Sequence, residues 1–473
     1  MVNAVETMLE VYKSLVVYGA GGVAKTTCRL LKECCAEKEI CVAVTDLKGN
    51  PHTLEGFKVY SVNSLPVDKS RRDVLVIVAM MPVSAETVKR ELNDKGYNHI
   101  MAAGELAEEM YKVFYNDPVQ KGKILFVNFA GKGYGCNPKY ICEELLRRGG
   151  DETDCVWAVN DEEAGVPEGV RTVLYGSYHY YYELATAQVW VDNQHKDFFS
   201  QKREGQFYIQ TWHGCGPLKK IEHDAQKIPG NYLEYADRDM KMVDLCLSGA
   251  KFNSLLFRRA FRYEGDILEC GCPRNDLFFK KDLSFNAIRA ALGIPERVSV
   301  ILYAPTLREG ESNRIDVPCL LEACESLYVN RCVMMIREHP QMEIQRERYV
   351  FSNRVINVSD YPDMQELMAV ADMLITDYSS VMWDFSLQKK PVFLYHPDLQ
   401  AYEEERGIYI PFSEMPYIET FNMEDLYRKI CGYDDVQYQQ RLQEFLRKYS
   451  SFDNGKASEA VADKIEEVIK NGS

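Results

Sequence analysis

The residues able to do chemistry in this sequence cluster where short apolar runs stop. Gln210-Thr211-Trp212-His213-Gly214-Cys215-Gly216-Pro217-Leu218-Lys219-Lys220 breaks one such run with Gly and Pro and places one His and two Lys in the break. A histidine there titrates near neutral pH and can take a proton from a hydroxyl, or it can be satisfied by backbone in a turn. Lys219 and Lys220 can meet an anion. His339 closes a second run, with Arg337 two residues before it, and Pro340 pushes His339 into extended geometry and ends the strand. A third run, 373–376, leads into Asp377-Tyr378-Ser379-Ser380 and then a helical stretch over 381–387. Two hydroxyls beside the N–H groups and positive end of a helix suit a diphosphate without a metal, although serine caps helices of every kind. Tyr303-Ala304-Pro305-Thr306-Leu307-Arg308 adds a hydroxyl and a guanidinium that can grip phosphate bidentately. Near the amino terminus, Gly19-Ala20-Gly21-Gly22-Val23-Ala24 reads as G-x-G-x-x-A, with Asp46 following a strand farther on. That is a dinucleotide fingerprint in the right context, or a tight strand-to-helix turn that binds nothing.

These positions need strands to end at one edge of a sheet, and the chain supplies them. Apolar runs at 15–18, 40–45, 58–62, 74–80 and 98–101 alternate with helical stretches and predict a first Rossmann-like α/β domain over 1–115. The polar, Pro- and Gly-containing stretch 116–122 reads as a linker. A second alternating series fills 123–262. A third, opening with a strand over 267–271, fills 263–473 with closing helices beyond 423. Runs that are apolar on both faces predict parallel sheets covered on both sides. Five tyrosines within 175–182 suit either a lipid interface or a packed helix flank.

Composition narrows the classes. The 473 residues carry 56 Lys+Arg against 71 Asp+Glu, a net charge of −15 and a pI near 5.2, so no chain-wide basic footprint for nucleic acid exists and any anion site is local. At 46% hydrophobic and 27% charged, with a mean hydropathy of −0.31, the chain is globular rather than disordered. Fifteen scattered cysteines without paired C-x-x-C spacing predict reduced, core-filling thiols and no metal site. The amino terminus has acids where a signal peptide needs bases, and no uncharged apolar run reaches membrane-spanning length, so membrane contact is expected to be peripheral.

Five ordered segments resemble the CDP-glycerol glycerophosphotransferase family, which builds teichoic acids and related capsule polymers. They are Gln210 to Gly214 with Pro217-Leu218-Lys219; Gly271-Cys272-Pro273-Arg274-Asn275-Asp276; Tyr303 to Arg308; Arg337-Glu338-His339-Pro340; and Ile375 to Phe385. Weaker agreement runs from Asn137-Pro138-Lys139 to Arg406-Gly407. The chain departs from the pattern where Cys215-Gly216 lengthens a turn by one residue, at Leu307, and at Glu338. The first domain lies outside the family's transferase core.

The resemblance implies a GT-B-type pair of Rossmann-like domains facing a cleft, preceded by the extra α/β domain. It implies attack of an acceptor hydroxyl on the β-phosphorus of CDP-glycerol, with a lipid-linked polyol-phosphate or glycan acceptor and CMP as leaving group. His213 would be the general base and His339 would stabilise or protonate the leaving phosphate. Thr306, Arg308, Arg337, Ser379 and Ser380 would hold the donor phosphates. Gly214, Lys219, Asp377 and Arg274 complete the site, with Asp377 fixing its loop rather than binding metal. No cofactor is required, although Gly19, Gly21, Gly22 and Asp46 could hold an unidentified nucleotide. The expected setting is cytoplasmic, at the inner face of the cell membrane. CDP-ribitol as donor, a nucleotide-sugar glycosyltransferase on the same scaffold, and a nucleotide-sensing binding protein are the alternatives; glycerol versus ribitol, primase versus polymerase, and oligomeric state stay open.

Overall fold

The computed structural model describes residues 4–67, 72–80, 82–150, 153–161, 165–197, 199–214, 216, 218–228, 231–280, 285–306, 315–338, 349–449 and 451–472. Three sheets organise them. The first contains β1 (Ser14–Tyr18), β2 (Glu39–Val44), β3 (Thr53–Leu54), β4 (Phe57–Ser61), β5 (Val74–Val78) and β6 (Ile100–Ala102) in the order β3-β4-β2-β1-β5-β6. Only the β3–β4 hairpin is antiparallel. The second contains β7 (Gln120–Val127), β8 (Asp154–Val159), β9 (Arg171–Leu174), β10 (Ala187–Asp192), β11 (Phe207–Gln210), β12 (Leu245–Ser248) and β13 (Asp266–Glu269) in the order β13-β12-β11-β10-β7-β8-β9. The third contains β14 (Ser299–Ala304), β15 (Cys332–Ile336), β16 (Val355–Asn357), β17 (Met373–Thr376), β18 (Val392–Tyr395) and β19 (Ile418–Thr420) in the order β16-β15-β14-β17-β18-β19.

Each sheet winds outward in both directions from its first strand, so each has one point where strand order reverses. There the loops after neighbouring strands diverge and open a crevice at the carboxyl edge. The points fall between β1 and β5, between β7 and β10, and between β14 and β17. Central strands are buried on both faces: Ile124, Leu125, Phe126, Val300, Ile301, Leu302, Leu374 and Ile375 expose nothing. The second and third sheets form the GT-B-type pair, and the first sheet is the additional α/β unit.

Allegiance of two elements differs from the sequence expectation. Asp266–Glu269 does not open the third unit; it pairs in parallel with Leu245–Ser248 and forms the edge of the second sheet. The last helix, Ala457–Asn471, likewise returns to the second sheet. Val461, Ala462, Ile465 and Val468 present one apolar face to Ile124, Phe126, Ile141 and Leu145, and Asp276 accepts its first amides from Ala457 (3.0 Å) and Ser458 (2.7 Å). The expected linker is shorter than 116–122, because Gln120–Val127 is already strand. The tyrosine-rich run is a packed flank: Tyr175, Tyr180 and Tyr181 are buried, and helix Tyr178–Thr186 packs against the first unit. Among the described cysteines Cys272 is disulfide-bonded, which corrects the expectation of thiols throughout; the others are free and mostly buried.

Candidate active site

Strand register assembles the second crevice. Asp192 pairs with both Val127 and Gln210, so Asn128-Phe129, Asn193-Gln194 and Thr211-Trp212-His213 leave the sheet side by side. Asn193 ties them together. Its Nδ2 donates to Asn128 Oδ1 (2.7 Å), its Oδ1 accepts from the Phe129 amide (2.8 Å), and its carbonyl takes the His213 Nδ1 proton (2.6 Å). A carbonyl only accepts, so this bond assigns the tautomer and leaves the lone pair on His213 Nε2. The ring stacks on Trp212 with centroids 4.4 Å apart and meets Phe129 at 5.2 Å. Burial is the main reason the His213 pKa falls to about 4; the Asn193 carbonyl opposes it, and the charges of Arg274, His195 and Lys219 press it lower. At neutral pH the His213 ring is therefore oriented and unprotonated.

A histidine in the opposite, charged state stands behind it. His195, buried beyond Trp212 at a ring distance of 5.4 Å, donates Nδ1–H to Asp239 (2.7 Å) and holds Nε2 3.5 Å from Glu222. Burial works against its charge, but the two carboxylates override that and raise its pKa to about 9. Asn137, at the start of helix Cys136–Arg148, donates to the Trp212 carbonyl (3.1 Å) and accepts from the Arg274 amide (3.2 Å). The Arg274 guanidinium, itself buried, gives one hydrogen bond to the His213 carbonyl (2.8 Å) and pairs with Asp384 (2.8 Å). Arg274 thus links the His213 turn to helix Val381–Ser386 beside the third sheet. Gly214 offers its carbonyl to Asn253 Nδ2 (2.8 Å). Gly216 lets Trp383 approach: a Cβ there would sit 2.1 Å from the indole, which gives the lengthened turn a packing reason. Lys219 is exposed and bridges to Ile408. A second tie across the two units runs from Lys139 to Asp363 (2.6 Å) and Glu366 (2.7 Å).

In the third crevice the register pairs Ala304 with Thr376, which delivers Thr306 beside Asp377. Asp377 is buried and accepts from the Thr306 amide (2.9 Å), the Thr306 hydroxyl (2.9 Å) and the Tyr378 amide (2.6 Å). His396 caps this arrangement from β18, with Nε2–H donated to the Asp377 carbonyl (3.1 Å) and its ring stacked on Tyr378 at 4.7 Å. Helix Val381–Ser386 follows at once. It is six residues long, and Ser380 at its cap makes no side-chain capping bond, while Ser379 accepts from the Val381 amide at 3.5 Å. Arg337 donates to the Tyr361 carbonyl (2.8 Å). His339 and Arg308, with Cys215, Pro217, Leu307 and Pro340, lie outside the described residues.

These two crevices, tied together by Arg274 and Lys139, occupy a chain whose residues 109–467 match the model of the CDP-Glycerol:Poly(glycerophosphate) glycerophosphotransferase family. The chain belongs to that family. It is 33% identical over 381 residues to a teichoic acid poly(glycerol phosphate) polymerase of Staphylococcus epidermidis, covering 75% of this chain and 52% of that one. It is 31% identical over 370 residues to a teichoic acid glycerol-phosphate transferase of Staphylococcus aureus, covering 73% and 93%. The chain spans about half the length of the first of these relatives. A solved structure of the wall teichoic acid polymerase TagF aligns with a TM-score of 0.70 and 30% identity over 82% of this chain and 97% of that one. A variant of TagF has been soaked with CDPG.

The family match starts at 109, beyond the first sheet, so Gly19, Gly21, Gly22 and Asp46 belong to a unit outside it. Gly19 is held at φ +126°, where a Cβ would lie 2.8 Å from the Ala79 carbonyl; among the described residues nothing beyond the local chain lies within 4 Å of a Cβ at Gly21 or Gly22. Asp46 accepts from the Lys48 amide (3.0 Å). Sequence reasoning missed His195 and His396, although both follow strand ends as His213 does. It also missed Asn193, whose decisive group is a backbone carbonyl with no sequence signature. Among the described residues, no group of three or more His, Cys, Asp or Glu side chains is placed to hold a metal ion.

Proposed function

We propose that this protein transfers glycerol phosphate from CDP-glycerol to a hydroxyl of a lipid-linked polyol-phosphate or glycan acceptor, releasing CMP, in teichoic acid or capsule-like polymer synthesis. The observation that carries the reading is the His213 tautomer: Nδ1–H is spent on the Asn193 carbonyl, and Nε2 faces the task unprotonated. The acceptor hydroxyl gives its proton to Nε2 as its oxygen bonds to the β-phosphorus. The bond from that phosphorus to the bridging oxygen breaks, and CMP departs with that oxygen. His339 stabilises or protonates it. Arg308, Arg337, Thr306, Ser379 and Ser380 hold the donor phosphates, with Asp377 fixing its own loop, which carries the serines, against the loop of Thr306; Arg274, Gly214 and Lys219 shape the His213 turn. Family membership and the soaking of TagF with CDPG favour CDP-glycerol as donor.

A lipid-linked acceptor places the reaction at a membrane, and the protein works there from the cytoplasmic side by peripheral contact. Among the described residues no helix is long and apolar enough to cross one. The test is CMP release from CDP-glycerol and, separately, CDP-ribitol, each with and without a lipid-linked glycerol-phosphate acceptor. Acceptor-dependent release from CDP-glycerol is the expected result. Release from CDP-ribitol alone changes the donor, and release from neither overturns the reading.

A further inference from the structure

Helix Gly22–Cys34 of the first unit packs on the second, and its contact there is polar and specific. Arg29, near the helix centre, is 5% exposed. Its Nη1 donates to Asn160 Oδ1 (2.9 Å) and to the Tyr175 carbonyl (3.1 Å), its Nη2 donates to the Asn160 carbonyl (2.7 Å), and its Nε lies 3.3 Å from the Glu55 carboxylate. One guanidinium so ties two segments that follow β8 and β9 to the first unit. The fit around it is close: a Cβ at Gly176 would meet Thr26 at 2.4 Å, and Glu33 accepts the Tyr178 amide at 2.7 Å.

Asn160 passes this restraint on. Its Nδ2 donates to the Ala130 carbonyl (2.7 Å) and its amide to the Gly131 carbonyl (2.7 Å). Residues 128–135, the loop held by these bonds, contain Phe129 and Ala130 at φ +43° and +53°, a left-handed conformation that non-glycine residues keep only when their surroundings impose it. Phe129 is the residue whose ring meets His213 and whose amide is bound by Asn193. The chain Arg29, Asn160, Ala130-Gly131, Phe129, His213 is continuous hydrogen bonding and ring contact between a unit outside the family match and the proposed base.

We propose that Arg29 is a positioning residue for the transferase, supplied by the first unit, which holds the 128–135 loop against His213 through Asn160. The first unit is then a working wall of the acceptor-side crevice. This rests on the functional reading above, in which His213 is the base. Loss of the guanidinium frees Asn160 and lets the loop relax, which misplaces the base relative to the acceptor; the donor-side residues on the third sheet are untouched. A displacement on the scale of an ångström at a reacting centre costs up to about a hundredfold in rate.

The test uses the full chain with Arg29→Met, Arg29→Lys and Asn160→Ala. Arg29→Met is expected to lower kcat for acceptor-dependent CMP release about tenfold per folded molecule, with KM for CDP-glycerol unchanged. Hydrogen exchange at the amides of Phe129, Lys132 and Gly133 is expected to accelerate in the same variant, and Arg29→Lys to recover part of both effects. Asn160→Ala, which leaves Arg29 in place, is expected to reproduce the fall, so the proposal stays testable if Arg29→Met fails to fold. Unchanged kcat in folded variants overturns the proposal whatever the loop does, and so does a lower kcat with wild-type loop exchange. Absence of CMP release from the unsubstituted protein would fail the functional reading instead, and exchange at the three amides would then decide by itself whether Arg29 holds the loop.

Discussion

The crevice of the second sheet and that of the third arise from the same winding, yet they are furnished with different side chains. In the second, two histidines are held in opposite states: one neutral with its Nδ1–H bound to the Asn193 carbonyl, and another charged between two carboxylates behind it. In the third, the buried carboxylate of Asp377 joins two loops: it accepts two hydrogen bonds from Thr306 after β14 and one from the Tyr378 amide of its own loop. A carboxylate so saturated repels an approaching phosphate less, and of the serines that follow Ser380 makes no capping bond and Ser379 only a long one. Fold alone does not set this difference; the residues after each strand end do.

The largest break in the comparison comes from His213→Ala. General base catalysis is worth about 10²–10⁴-fold, so kcat should fall by that factor, about 3–5 kcal/mol of barrier, while CDP-glycerol affinity holds. Equal turnover in folded variant would remove the proton task from the second crevice. Asp377→Ala attacks the other side. It leaves the amides of Thr306 and Tyr378 and the Thr306 hydroxyl without their acceptor, at about 1–3 kcal/mol for each buried group so stranded. Thermal unfolding should show a lowered Tm, and KM for CDP-glycerol should rise more than kcat falls. A kcat-only effect would mean Asp377 belongs to the chemistry and not to the loop.

A smaller and sharper test is the double change Ser379→Ala with Ser380→Ala. Ser380 makes no capping bond and Ser379 only a long one, so Tm should hardly move. If the hydroxyls meet the donor phosphates, CDP-glycerol binding measured by calorimetry should weaken by about tenfold, the worth of one or two hydrogen bonds to a charged group. Unchanged affinity would strike both serines from the donor site.

Much of this contrast is legible in the sequence. Alternating apolar runs predict three parallel sheets, and the break after each run locates His213, Thr306 and Asp377 at carboxyl edges. The same rule applies equally to His195 and His396, which also follow strand ends. Three things are not legible, each for a physical reason. Asp266–Glu269 joins the second sheet because its partner strand, Leu245–Ser248, offers a free edge, and a four-residue run carries no mark of which sheet it will complete. The last helix shows a clear apolar stripe, but a stripe does not name the surface that covers it. The His213 tautomer depends on the Asn193 carbonyl, and every residue has a carbonyl.

The opposed shifts of the two histidines give the last and smallest effect, a stability window. The folded-state pKa of His195 is raised to about 9 from 6.5. Its contribution is full below pH 6.5 and is lost as pH climbs through about 9, when the proton shared with Asp239 and Glu222 leaves. The folded-state pKa of His213 is depressed to about 4. Its contribution is full above pH 6.5 and is lost as pH falls through about 4, because protonation then places a charge against Arg274 in a buried site. The second crevice therefore weakens at both ends of the range. His195→Gln should flatten the alkaline limb of Tm against pH and spare the acid limb, while His213→Ala should do the reverse, each by about 2–4 °C for every kcal/mol removed. If His195→Gln leaves the alkaline limb intact, the buried imidazolium is not what braces the second crevice, and the contrast with the third rests on His213 alone.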